Sequence, residues 1–390
     1  MRLRVLIVPD KFKGTLTAQE AAESIGCGWA KARPQDELQL LPMSDGGDGF
    51  GAVMSTLIGA VPRTVRTCDA THRPCTARWW WQARGRTAVL DTAGVVGLAM
   101  LPPGRYHPFA LDTFGLGEVV RAAVRMGAKR CLVGLGGSAT NDAGFGLARA
   151  FGWQFVDQSG DPIERWPDLA NLADLHPPTN PDGLPELVIA VDVQNPLLGP
   201  RGATRVYGPQ KGLKPPDFPI AERALRRLAD VIRRHRGCNL AGQPGAGSAG
   251  GLGFGFAAFL GGRLAPGFEL FAGEAKLEQK MEAVDLVITG EGAIDRSTIM
   301  GKGAGCVAAL ASRFRIPCIG FCGVFDRATR HKNLFRRIGA LVDLTTIEQA
   351  RTKPALWLER LAKKVASDWP SSTATTVCDS QRARLDRQKA

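Results

Sequence analysis

Five times along this sequence an apolar run breaks off at an acidic or amide residue set among glycines, lysines or further acids. The breaks fall at Asp10 with Lys11 and Lys13, Asp45 with Asp48, Asn141 with Asp142, Asp192 with Asn195, and Glu291 with Asp295. After the first of them, Thr17 and Glu20 stand in capping-box spacing and predict a helix running to about Ala32. Strand, polar turn and helix in alternation dictate a parallel sheet, because parallel neighbours need a crossover and a helix is the usual one. In such a sheet the carboxyl ends of the strands line one crevice. Residues far apart in the chain are therefore expected to meet.

The alternation is interrupted. Val61–Cys68, Thr76–Gln82 and Thr87–Asp91 read as consecutive strands joined by short polar turns. A mixed stretch follows, with a helix over Gly117–Met126, strands over Arg130–Gly134 and Leu187–Val191, and a strand-like Arg205–Tyr207. The simple pattern returns with strands at Leu286–Thr289 and Pro317–Phe321. The economical arrangement is α/β: a doubly wound parallel-sheet domain made from both ends of the chain (residues 1–67 plus 285–370), with a large mixed α/β domain (68–284) inserted into it. Residues 371–390 have Val377 and Leu385 as their only aliphatic side chains larger than Ala, and are expected to be a disordered basic tail.

The 390 residues suit two cores, and 44% apolar with 22% charged residues excludes a disordered chain. No apolar run reaches the roughly 18–20 residues of a membrane span, and Met1–Pro9 lacks a secretory signal, so a cytoplasmic address and no membrane partner are expected. The nine cysteines form no CxxC pair, which points to reduced thiols over structural zinc. A net charge of +13 raises nucleic acid as a partner. Much of the excess sits in Glu222–Arg236 and in the tail from Arg351, whose aromatic residues, Trp357 and Trp369, do not alternate with the charges as base stacking would favour. These read as solvated surfaces, and no nucleic-acid partner is expected.

A crevice of carboxylates, lysines and exposed amides suits a magnesium-bound polyphosphate. Any one of the five loops taken alone is more often an ordinary Asx turn; it is the set that points to a site. Gly134–Gly146, reading GLGGSATNDAGFG after an apolar run, offers Gly136, Gly137, Ser138, Thr140 and Asn141 to an anion. No Gly-Lys-[Ser/Thr] closes it, so it is not a Walker A loop. It loosely matches the dinucleotide fingerprint, which leaves an NAD(P)-dependent oxidoreductase open as an alternative. Gly245–Gly250 also spells GxGxxG, but no strand precedes it. Lys211 and Lys302, each followed by a glycine, are further candidates to reach phosphate.

Seven segments in collinear order between about Val5 and Trp369 resemble the class I glycerate kinase family. They are PDKFKGTLTA (from Pro9), SDGGDG (from Ser44), GLGGSATNDAG (from Gly134), DVQNPLLGPRGA (from Asp192), YGPQKG (from Tyr207), PGAGSAGGLG (from Pro244) and DLVITGEGAID (from Asp285). The resemblance implies ATP-dependent phosphorylation of D-glycerate, commonly at the 2-hydroxyl, with Mg²⁺. It also implies a flavodoxin-like domain carrying a large insertion, with the active site between them. The chain departs from the family pattern at Phe50, at Ala293 (usually Arg), at Ser297 (usually Gln) and over Gly301–Cys306. A nucleotide-binding protein of this fold with lost catalysis is the reading those departures keep open.

Phosphoryl transfer asks chiefly for positioning and charge neutralisation. On that chemistry Asp45, Asp192 and Glu291 are candidate Mg²⁺ ligands, and Asp192, then Asp10, candidates to accept the hydroxyl proton. Lys11 or Lys13 would pair with the substrate carboxylate.

Overall fold

The computed structural model describes residues 2–179, 183–299, 303–326 and 334–370. The Lys302 candidate and the 371–390 tail fall outside these residues.

The chain opens with β1 (Arg4–Pro9), a helix over Ala18–Ala32 and β2 (Glu37–Leu40). That helix is capped as its sequence requires: Thr17 and Glu20 satisfy each other's backbone N–H. After a helix over Phe50–Ile58 come β3 (Val61–Cys68), β4 (Pro74–Gln82), β5 (Thr87–Asp91) and β6 (Arg130–Gly134). A small antiparallel pair, β7 (Gln154–Val156) and β8 (Asp174–His176), precedes β9 (Glu186–Val191) and β10 (Arg263–Pro266). The chain then returns through β11 (Leu286–Ile294), β12 (Cys318–Phe325) and β13 (Arg337–Ala340).

Two sheets result. The first runs β13-β12-β11-β1-β2, parallel throughout. Numbered by its own strands this is the order 2-1-3-4-5 of flavodoxin-like sheets. The second runs β10-β9-β6-β5-β4-β3, parallel from β10 to β5 and antiparallel through the β5-β4-β3 meander.

Strand β1 is buried at every position from Val5 onward because both faces of its sheet are covered. Val5 and Ile7 pack against the helices Ala18–Ala32 and Pro354–Ser367. Leu6 and Val8, one residue out of phase, join a cluster that also contains Val89, Leu132 and Val188 of the second sheet. The two sheets thus share apolar core, and their carboxyl ends are held in a fixed relation.

A junction drawn between residues 67 and 68 would separate β3 from the sheet it pairs with, since the whole strand is in register with β4. We propose the junction just before Val61. The strand-like Arg205–Tyr207 is a correction: it lies within the helix Ala203–Lys211. A three-residue apolar alternation carries too little periodicity to separate strand from helix, and here packing decides.

Candidate active site

Four of the five loops follow the carboxyl end of a parallel strand, the fifth begins at Glu291 within β11, which runs on to Ile294, and all five segments border one cleft of about 790 Å³ between the two sheets. Asp10, Lys13, Asp45, Asp192 and Glu291 all line it, as do Gly136, Gly137, Ser138 and Lys211. Thr140 and Asn141 do not. They are fully buried behind the glycine loop.

The tightest convergence is around Gly47. A Cβ added there would stand 3.0 Å from Lys11 Nζ, 3.3 Å from Asp45 Oδ1 and 3.5 Å from Asp192 Oδ2. Three charged groups from three loops, two on one sheet and one on the other, therefore share a single point. Lys11 is fixed there by donating to the Asp48 carbonyl at 3.1 Å and pairing with Asp45 at 3.8 Å. Burial works against its ammonium, but the surrounding Asp45, Asp10, Asp48 and Asp192 hold its pKa above the ordinary value. Lys13, two residues on, is exposed at the mouth.

Asp10 is placed by β1: its N–H donates to the Gly290 carbonyl of the neighbouring β11, and its Oδ1 accepts from the Lys11 N–H at 2.7 Å. Burial, reinforced by the Asp45 charge, pushes its carboxyl up to about 7. Glu291, on β11, is likewise pushed up to about 7, first by burial, although Thr298 Oγ1 donates to its Oε1 at 2.7 Å and opposes the shift.

The glycine loop is built for close approach. A Cβ on Gly136 would stand 2.5 Å from the Asp48 backbone nitrogen, and one on Gly137 2.4 Å from Asp48 Oδ1. Loop 44–49 of one sheet and loop 134–138 of the other could not meet at this distance with any larger residue. Behind them Ser138 Oγ and Thr140 Oγ1 bond at 2.8 Å, and Asn141 Nδ2 donates to Thr204 Oγ1 at 3.1 Å. Asp142 Oδ2 accepts from the Thr113 N–H and hydroxyl and from the Gly146 N–H, which pins the loop to residues 111–115. Thr140, Asn141 and Asp142 hold the loop's shape; Gly136 to Ser138 present it.

Lys211 ends the helix Ala203–Lys211 and points inward. Its Nζ donates to the Thr140 carbonyl at 2.6 Å, and burial lowers its pKa to about 7, with Asp142 opposing. Ala249, Gly250 and Gly251 all adopt positive φ beside it, and a Cβ on Gly250 would stand 2.8 Å from the amine. The second GxGxxG segment thus turns out to be packing for Lys211.

Two features at the cleft were not among the sequence candidates, and Asp48, named only as part of the Asp45 loop, takes a part of its own. Tyr207 lines the cleft and donates to Asn195 Oδ1 at 2.8 Å, with burial pushing its phenol up to about 12. Thr298 orients Glu291, and Asp48 receives the glycine loop. Only Asp48 carried a signal, in the repeated acid of SDGGDG; a single Thr or Tyr carries none.

Among the described residues no three carboxylates, thiols or imidazoles converge as a preformed metal cluster. Mg²⁺ commonly arrives on phosphate oxygens and takes only one or two protein carboxylates. The facing Asp45 and Asp192 suit that mode of binding.

A profile of the glycerate kinase family matches residues 5–370. The chain belongs to the glycerate kinase family. It is 34% identical to a glycerate kinase of Bacillus subtilis over 94% of this chain and 97% of that one. To the glycerate 2-kinase of Escherichia coli it is 34% identical over 82% and 85%. A crystal structure from Salmonella typhimurium LT2, whose protein carries the provisional name glycerate kinase 2, superposes with a TM-score of 0.80 at 32% identity, covering 94% of this chain and 98% of that one. These relatives lend no support to the oxidoreductase alternative. Membership of a kinase family implies ATP as the co-substrate. No helix among the described residues is long and apolar enough to cross a membrane.

Proposed function

We propose that this cleft transfers the γ-phosphoryl group of ATP to the 2-hydroxyl of D-glycerate. The observation that carries the reading is the meeting of Lys11, Asp45 and Asp192 around Gly47, at the seam of the two sheets. Transfer forms a bond between the substrate hydroxyl oxygen and the γ-phosphorus and breaks the bridge to the β-phosphate; the hydroxyl proton passes to a carboxylate. ADP leaves.

Asp45 and Asp192 would hold Mg²⁺, with Glu291 as a third candidate reached through water. When bound, the ion neutralises phosphate charge. Asp10 is buried where its charged form is disfavoured, which suits it to accepting the proton, so we place it ahead of Asp192 in that role. Gly136 to Ser138 offer amides and a hydroxyl to phosphate oxygens, and Lys211 adds positive charge beneath them. Lys13, uncommitted at the mouth, is placed to pair with the glycerate carboxylate. The described cysteines are all free thiols, which supports a cytoplasmic setting.

The test is substitution with metal titration. Asp10→Asn should lower kcat while leaving the Mg²⁺ requirement unchanged; Asp45→Asn should raise the Mg²⁺ concentration needed for half-maximal rate. If Asp45→Asn leaves the Mg²⁺ dependence untouched, the metal assignment is wrong.

A further inference from the structure

The cleft is chemically divided along its length. Its centre is charged, and the end on the second sheet is glycine and lysine. The remaining end, where β12 and β13 run out, is different: Val324, Leu341, Val342, Ile347 and Ala350 line it, with Arg351 beside them. Ile347, Ala350 and Arg351 stand at i, i+3 and i+4 of the helix Ile347–Thr352, so they share one face, and that face lines the cleft. Val324 is 41% and Ile347 57% exposed, among the few large apolar side chains of the described residues left open to solvent. The Arg351 side chain makes no hydrogen bond or ion pair with the described residues.

We infer that this apolar shelf is the nucleoside subsite, taking the base and ribose of the nucleoside triphosphate against Val324, Val342 and Ile347, with Arg351 beside them. The inference rests on the reading of the cleft as the kinase site. Of the two substrates only the nucleotide has apolar surface to bury: glycerate is three carbons carrying a carboxylate and two hydroxyls. A flat base covering exposed Val and Ile side chains removes apolar area from water on both partners. The guanidinium, without a partner among the described residues, is suited to stacking on the base or pairing with the ribose hydroxyls or α-phosphate.

A neighbouring cavity of about 670 Å³, lined by Leu264, Pro266 and Phe268, is also apolar and touches the cleft at Asp45 and Asp192. Among the described residues it lacks the glycine loop and any lysine. A nucleotide seated there would have its phosphates leave through the carboxylate pair, whereas the shelf shares one cavity with Gly136, Gly137, Ser138 and Lys211.

The experiment measures the Kd of ATP and the KM of both substrates for full-length Ile347→Asp and Arg351→Ala, with Leu264→Glu as the counterpart in the neighbouring cavity. Ile347 is exposed, so its replacement does not open the core; melting curves check this. The expected result is an ATP Kd raised about tenfold or more by Ile347→Asp and several-fold by Arg351→Ala, with the KM for D-glycerate within about twofold of the parent. An unchanged ATP Kd in both variants, or a rise in Leu264→Glu alone, overturns the shelf. Asp10→Asn, Asp45→Asn and Asp192→Asn, assayed in parallel, separate this from the kinase reading: if all three keep the full rate, the cleft is not the catalytic site, whatever the ATP Kd values say about the shelf.

Discussion

The Lys211 ammonium donates to the Thr140 carbonyl at 2.6 Å in the protein interior, where burial favours the neutral amine. Its folded pKa of about 7 lies below the ordinary lysine value of 10.5. The unfolded chain therefore binds more protons between those values, and Lys211 makes stability rise with pH across that window. Below about pH 7 both states are protonated and the full cost of burying the charge is present. Lys211→Met should accordingly melt above the parent at pH 6, with the gap narrowing by pH 9, while its kinase rate falls. A gap that is constant with pH would remove the burial cost from the account.

Asp192→Asn keeps the side chain's shape but loses the charge that a metal ligand or proton acceptor needs. The rate constant should fall at least about 10²-fold with the fold intact, the scale typical of a positioned acid or base. Near-parental kinetics would move its role to Asp10 or Asp45.

The glycine loop gives a paired prediction. Gly136→Ala forces a methyl to 2.5 Å from the Asp48 nitrogen and should cost about 1–3 kcal/mol, as overpacking typically does, and lower the rate as well. Gly273→Ala, in the helix Gly267–Glu274 with nothing within 4 Å of the new methyl, should instead stabilise by about 0.5–1 kcal/mol. Equal melting temperatures for the two variants would contradict the close approach of the loops.

Why some of this was legible in the sequence and some not follows from how each signal is carried. The strands ending at Pro9, Val191 and Gly134 are apolar at nearly every position, and each is followed by a polar turn, so their ends and the acids beyond them could be read directly. The capping box at Thr17 is local and equally plain. Arg205–Tyr207 misled because its environment, not its pattern, makes it helical. Thr140 and Asn141 share a motif with Ser138, yet the turn between them sends one residue to the cleft and two into the core, which spacing alone does not encode. Lys211 could be read as a candidate to reach phosphate but not as a buried one; only the left-handed run at Ala249–Gly251, brought in from nearly forty residues away, makes room for it inside.

The central claim is tested most directly by phosphorus and proton NMR of the products after incubating the protein with D-glycerate, Mg²⁺ and ATP. The expected spectrum shows ADP and 2-phosphoglycerate appearing in equal amounts, with neither formed when D-glycerate is omitted. ATP left intact, or ADP released with no phosphate ester of glycerate, would contradict the assignment of this cleft as a glycerate kinase site, and an ester at the 3-hydroxyl would contradict the proposed orientation of the substrate.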